Sequence, residues 1–133
     1  MKLEPLIAGE AAGATLSLSA PISFWGGVDP KTGRIIDARH PERDQSIAGK
    51  ILLLPGTIGS SSASAVLLEL VHAGRAPAAI IMPEPDAILL LGLVVAREMG
   101  WTIPPAFRAS REVQNTLGAQ IALHADGSVR SLN

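Results

Sequence analysis

The chain has 133 residues, enough for one compact domain, residues 1–133, and little more. Hydrophobic residues make up 47 % of it and charged residues 17 %, which supplies a core and excludes the composition of an intrinsically disordered chain. The formal net charge is −1 with Lys and Arg scattered, so there is no basic face for nucleic acid, and the absence of Cys excludes a disulfide framework, a thiolate zinc site or an iron–sulfur cluster held by this chain.

The first residues lack the basic start and continuous apolar run of a signal peptide. Residues 1–8 form a weak strand candidate, residues 9–13 a turn, and residues 14–19 alternate apolar and polar side chains as a half-buried strand does. Residues 21–30 are too rich in Gly and Pro for a regular element. Residues 29–33 have turn chemistry, with Pro30 presetting φ and Gly33 free to take φ > 0. A short strand over residues 34–37 leaves that turn.

From Ile51 the pattern becomes alternating strand and helix. Residues 51–54 are a short apolar run ended by Pro55-Gly56, the pattern of a strand covered on both faces. A loop over residues 56–62 leads into a helix over residues 63–73, with Gly74 suited to a left-handed C′ position. Residues 78–82 are the next buried strand, stopped by Pro83 and Pro85. Asp86 is an N-cap for a second helix running through Met99 and closed by Gly100. That helix is apolar almost all round over residues 88–95, which predicts deep cover on every side. The apolar run it contains, residues 87–96, is about half the length a membrane span requires. A short helix over residues 110–117 and a hairpin, residues 120–125 and 128–132 around Asp126-Gly127, complete an α/β chain with a β-rich start and a three-layer core.

The segment best suited to chemistry joins the strand at residues 51–54 to the helix at residues 63–73. It carries Gly56, Thr57 and Gly59, then Ser60, Ser61, Ser62 and Ser64, four hydroxyls in five positions. Backbone N–H groups at a helix start have no intrahelical partner and carry partial positive charge, so such a loop can hold a carboxylate or phosphate or stabilise a developing anion. The same residues also serve a plain helix cap with small neighbours that permit close packing. No Lys follows Gly59, which excludes a phosphate-binding P-loop, and no second Gly completes a nucleophile elbow.

Phe24-Trp25 beside Gly26-Gly27 suits a contact surface, or Phe24 folds onto the core while Trp25 covers a sheet edge. Asp29 reads as a turn former. His40, His72 and His124 are far apart and show no metal-ligand spacing, so all three read as structural or solvated. Arg34, Asp37, Arg39, Glu42, Arg43 and Asp44 read as a mixed-charge surface.

Residues 21–33, reading Pro-Ile-Ser-Phe-Trp-Gly-Gly-Val-Asp-Pro-Lys-Thr-Gly, resemble the N-terminal signature of the aconitase X small-subunit family. Residues 49–56 with the serine-rich loop are similar to its second signature, and residues 76–81 to the strand that follows. The resemblance runs over residues 16–105. It implies a swivelling β/β/α domain like the mobile domain of aconitases, and a larger partner that binds iron or an iron–sulfur centre through its own cysteines. Since this chain ends at Asn133, the resemblance implies a large subunit supplied in trans; the missing signal peptide and the short apolar run point to a cytoplasmic protein.

The resemblance further implies a hydro-lyase acting on a small-molecule carboxylate, with Ser60 as the catalytic base and Gly59, Ser61, Ser62 and Ser64 about the substrate. Ala63 stands where family members often carry Gly, which leaves Ser61 and Ser62 open as alternatives for the base. The family includes dehydratases of cis-3-hydroxy-L-proline, yielding Δ1-pyrroline-2-carboxylate, and of mevalonate 5-phosphate. The second substrate calls for a basic phosphate-binding group, for which Arg39, Arg43 and Lys50 are candidates. A non-catalytic binding or assembly domain of the same fold is the alternative outside enzymology. A phosphohistidine swivelling domain needs a histidine on the glycine-rich loop, and residues 50–71 contain none.

Overall fold

The computed structural model describes residues 1–132; Asn133, the last residue of the 1–133 span, lies outside the described residues. The strands are β1 (Glu4–Ile7), β2 (Ala11–Ser17), β3 (Ile51–Leu53), β4 (Ala79–Met82), β5 (Ala106–Arg108), β6 (Gln120–Leu123) and β7 (Val129–Ser131). The helices are α1 (Phe24–Gly27), a single irregular turn, α2 (Ala63–Ala73), α3 (Ala87–Glu98) and α4 (Arg111–Gln114).

One seven-stranded sheet has the order β1-β5-β4-β3-β2-β6-β7. Its centre, β2 to β5, is parallel, while β1, β6 and β7 pair antiparallel at the flanks. Strand β2 turns the corner of the sheet: Ala11 to Ala14 face β6, and Thr15 to Ser17 face β3. The two edges then approach each other, with Leu3 N–H donating to Gly127 O at 2.8 Å and Val129 N–H to Met1 O at 3.1 Å. The sheet is therefore curled on itself.

Alternation along the central strands divides their side chains between two cores. Leu52, Leu54, Ile80 and Met82 point toward α2 and α3, where they meet Val66, Leu67, Leu70, Leu89 and Leu93. Ile51, Leu53, Ala79, Ile81 and Phe107 point the other way, into the curl, against Leu3, Ile121 and Leu123. The result is a three-layer β/β/α arrangement, as the resemblance to an aconitase swivel-like α/β domain implies.

The boundaries of α2, Gly74 at φ 71° closing it, and Asp86 capping α3 agree with the sequence reading. Four features differ. Residues 11–13, read as turn, are strand, because pairing with β6 supplies partners for a segment of weak intrinsic preference. Residues 34–37 make only single bridges, Ile35 to Val28 and Arg34 to Ser46, and form no strand. Strand β5, only three residues long, went unread beside Pro104-Pro105. The fourth is α3: Leu89, Gly92, Leu93 and Ala96 are buried, but Ile88, Leu91, Val95 and Met99 are exposed, so cover on every side is not provided within this chain. No helix among the described residues is long and apolar enough to cross a membrane.

Candidate active site

Parallel strands in an open sheet deliver their connecting loops to one edge, and ligands bind there, beyond the C-terminal ends. In this chain that edge collects four segments. Leu18 leads from β2 into residues 19–27, Leu54 leads from β3 into the serine loop, Pro83 leads from β4 toward the Asp86 cap, and Ala109 leads from β5 into α4. A cleft of about 530 Å³ opens between the second and third, lined by Pro55, Gly56, Thr57 and Gly59 on one side and by Pro83, Asp86 and Ile88 among others on the opposite side.

The loop is held at its base. Gln114, 1 % exposed, donates from Nε2 to Leu54 O at 2.8 Å and to Ala109 O at 3.1 Å. Its Oε1 accepts from Arg111 Nη1 at 2.7 Å, and Arg111 Nη2 donates to Leu18 O. Helix α4 thus ties together the ends of β2, β3 and β5, the strands from which three of the four segments depart. Further along, Ile58 N–H donates to Ile22 O at 3.0 Å, joining the serine loop to the residues 21–33 segment. Thr57 Oγ1 donates to Asp86 Oδ2 at 2.7 Å.

The serines follow. Ser60 is half-buried and lies next to Gly59 at the cleft wall. Its Oγ accepts the Ser62 N–H at 3.2 Å, and its carbonyl oxygen accepts the Ala63 N–H at 3.2 Å. Ser61 is exposed, while Ser62 and Ser64 are half-buried. Ser62 occupies the cap position of α2 in helical geometry, and its hydroxyl makes no cap bond. The plain-cap interpretation of the serine run therefore fails for Ser62; the local turn is closed by Ser60. Ser64 lies on the other side of the helix start, where its carbonyl oxygen and Cα approach Gly92 of α3.

The remaining sequence candidates are dispersed. Phe24 is buried in the helix-side core, while Trp25 is 61 % exposed and lines a groove together with Ile36 and Ala65. Asp29 accepts the Lys31 N–H through its side chain and the Gly33 N–H through its carbonyl, as a turn former does. His40 is buried: Nδ1 accepts the Glu42 N–H and Nε2 lies 3.0 Å from Ala20 O, so the ring braces the loop after β2. Glu42 completes that brace, accepting from both the Ser19 N–H and hydroxyl. The His72 and Trp101 rings meet at a 45° tilt with centroids 4.7 Å apart, and His124 lies 3.5 Å from Glu10. Arg34 and Arg43 both meet Asp44. Lys50 precedes β3 and so sits at the opposite end of that strand from the serine loop.

Among the described residues no three His, Asp or Glu side chains converge as metal ligands, and the chain has no Cys. Iron or an iron–sulfur cluster does not fit this chain's own residues. What the edge offers is a hydroxyl in a backbone-lined turn, beside an open cleft.

A family model described as aconitase X swivel domain matches residues 1–130. The cis-3-hydroxy-L-proline dehydratase of Pseudomonas aeruginosa is 48 % identical over 107 residues, covering 80 % of this chain but only 18 % of that relative. The phosphomevalonate dehydratase small subunit of Methanothermobacter thermautotrophicus is 38 % identical over 118 residues, covering 89 % of this chain and 86 % of the relative. The crystal structure of Thermococcus kodakaraensis aconitase X in its holo form matches with a TM-score of 0.85 at 33 % identity, over 99 % of this chain and 97 % of that one.

Proposed function

Because the chain belongs to the aconitase X swivel domain family, we propose that it is the small subunit of a two-part cytoplasmic hydro-lyase, working with an aconitase X-type large subunit. Ser60 supplies the base that removes a proton from a small carboxylate substrate. The observation that carries this assignment is the local geometry of Ser60. Of the four serines it is the one whose hydroxyl oxygen receives a backbone N–H among the described residues, and it adjoins the cleft at the ligand-binding edge of the sheet. A serine oxygen is a weak base unless negative charge on it is stabilised; a fixed N–H donor at a helix start does that without reorganisation.

Gly59 brings backbone to the cleft wall, where the absence of a side chain allows close approach of a carboxylate, and Ser61, Ser62 and Ser64 supply neighbouring hydroxyls. Iron or an iron–sulfur centre, which would assist departure of the hydroxyl group, is assigned to the large subunit. The exposed stripe on α3 supports a partner, since a free-standing domain has no use for that much uncovered apolar surface.

For the substrate we favour cis-3-hydroxy-L-proline, converted to Δ1-pyrroline-2-carboxylate. The higher identity to the hydroxyproline dehydratase supports it, as does the placement of Lys50 away from the loop. Mevalonate 5-phosphate is the second reading, supported by the near end-to-end match to a phosphomevalonate dehydratase small subunit. Co-expression with an aconitase X-type large subunit, followed by assays on hydroxyproline isomers and mevalonate 5-phosphate, separates the two. Ser60→Ala is expected to lower turnover by about 10²–10⁴ while the subunits still co-purify. Wild-type rates in that variant would move the base to Ser61, Ser62 or the partner, and turnover by the isolated chain would overturn the two-subunit assignment.

A further inference from the structure

Asp86 divides its two carboxylate oxygens between two elements. Oδ1 accepts the Ile88 and Leu89 N–H groups, each at 3.1 Å, which caps α3. Oδ2 accepts the Thr57 hydroxyl at 2.7 Å, which crosses the cleft to the serine loop. Capping alone would leave Oδ2 to solvent, and a residue with one acceptor atom would suffice for it.

The place at which this bond meets the loop matters. Ile58 N–H, bonded to Ile22 O, is the next fixed atom after Thr57. Beyond it, among the described residues, residues 59–61 take part in hydrogen bonds only within their own turn, from Ser62 N–H and Ala63 N–H back to Ser60, and Ser62 O then accepts the Val66 N–H of α2. Thr57 and Ile58 are therefore the last points at which other segments hold the chain before Ser60. Three residues of backbone span up to roughly 10 Å, so a small rotation at Thr57 displaces Ser60 by an ångström or more. A misplacement of ~1 Å at a reacting group can cost about 10² in rate.

We propose that Thr57 and Asp86 are a positioning pair for the Ser60 loop, coupling its placement to the N-terminus of α3. This rests on Ser60 being the base. Neither residue touches the reacting atoms; both act through the loop. The bond also draws the two walls of the cleft together, so it sets the opening through which substrate reaches Ser60.

The test uses the full chain, free and assembled with its large subunit. Thr57→Val removes the donor at nearly constant shape and leaves the α3 cap untouched. In the free chain, amide exchange at Ile58 and Ala63 should accelerate about five- to tenfold, the loss of one hydrogen bond, with the thermal midpoint lowered by only a few degrees. In the complex, kcat should fall about tenfold or more with KM within about twofold, and Thr57→Ser should restore most of it. Asp86→Ser keeps a capping oxygen but has no second oxygen to meet the Thr57 hydroxyl, so it should match Thr57→Val. The double variant should be no worse than either single one. Unchanged exchange and kcat in Thr57→Val, additive effects in the double variant, or failure of Thr57→Ser to rescue would each overturn the pairing. If the wild-type complex does not turn over, the dehydratase assignment fails, and the exchange measurement on the free chain still decides whether the pair holds the loop.

Discussion

Gln114 shows how a single side chain can organise an edge that no local pattern announces. All its amide hydrogen-bonding capacity is directed inward, to Leu54 O, Ala109 O and the Arg111 guanidinium. Gln114→Ala would leave two buried carbonyl oxygens without that donor, so it should cost about 1–3 kcal/mol of stability in urea unfolding. Gly92 is the matching case in the helical layer. A Cβ there would lie 2.7 Å from Ser64 O, a backbone atom at the closest approach of α2 and α3. Gly92→Ala should force the helices apart and lower stability by about 1–3 kcal/mol, read from the same measurement. At this scale the serine-bearing loop was legible as a helix start, because glycine followed by hydroxyls before an apolar helix is a local signal, whereas Ser60 was singled out within it only by the family resemblance. Gln114 was not legible, since its chief partner is sixty positions away in sequence. Thr57 was visible only as a loop residue; its partner Asp86 was read as a cap, and the second half of that carboxylate's role needed the fold.

Helix α2 was read residue for residue and the β6–β7 hairpin was placed correctly with strands one or two residues too long, because each carries its own stop signals: Gly74 at φ 71° and Gly127 at φ 91°. The hairpin also has an electrostatic latch. Asp126 accepts the Ser128 hydroxyl at 2.6 Å and the Ser128 N–H at 2.9 Å, and Lys2 lies 3.3 Å away. The Ser128 bonds, with Lys2 adding to them, hold the Asp126 carboxyl well below the usual carboxylate range. A folded-state value below the unfolded one means the ionised form favours the fold. The contribution is therefore complete above the ordinary carboxylate range and is lost as pH falls through the lowered value. An NMR titration should find Asp126 still ionised where ordinary aspartates have protonated, and Ser128→Ala should move its midpoint back up. Strand β5 escaped the sequence reading for the opposite reason. Three residues after two prolines carry no periodicity, and only pairing with β4 and β1 makes them a strand.

For the molecule as a whole, the informative mismatch is α3. Its sequence is apolar around most of its circumference, yet this chain covers one side of it. Leu93 is fully buried and Leu91 is 55 % exposed, two positions apart on the same helix. Leu93→Ala should therefore cost about 2–5 kcal/mol, whereas Leu91→Glu should change the free chain's stability by no more than about 0.5 kcal/mol. Chemical denaturation of both variants checks the contrast; equal losses would mean that the outer stripe is covered after all. Local chemistry in the sequence specified the alternation of strand and helix over residues 51–98, the ends of α2 and α3 and the serine-bearing loop, because these rest on periodicity, capping and turn chemistry acting over a few residues. The tertiary structure alone decided the curl of the sheet, the joining of the residues 21–33 segment to the serine loop, the Arg111–Gln114 brace and the exposed side of α3. Those depend on contacts between residues far apart in the chain, and no local preference encodes which distant carbonyl or side chain will be met.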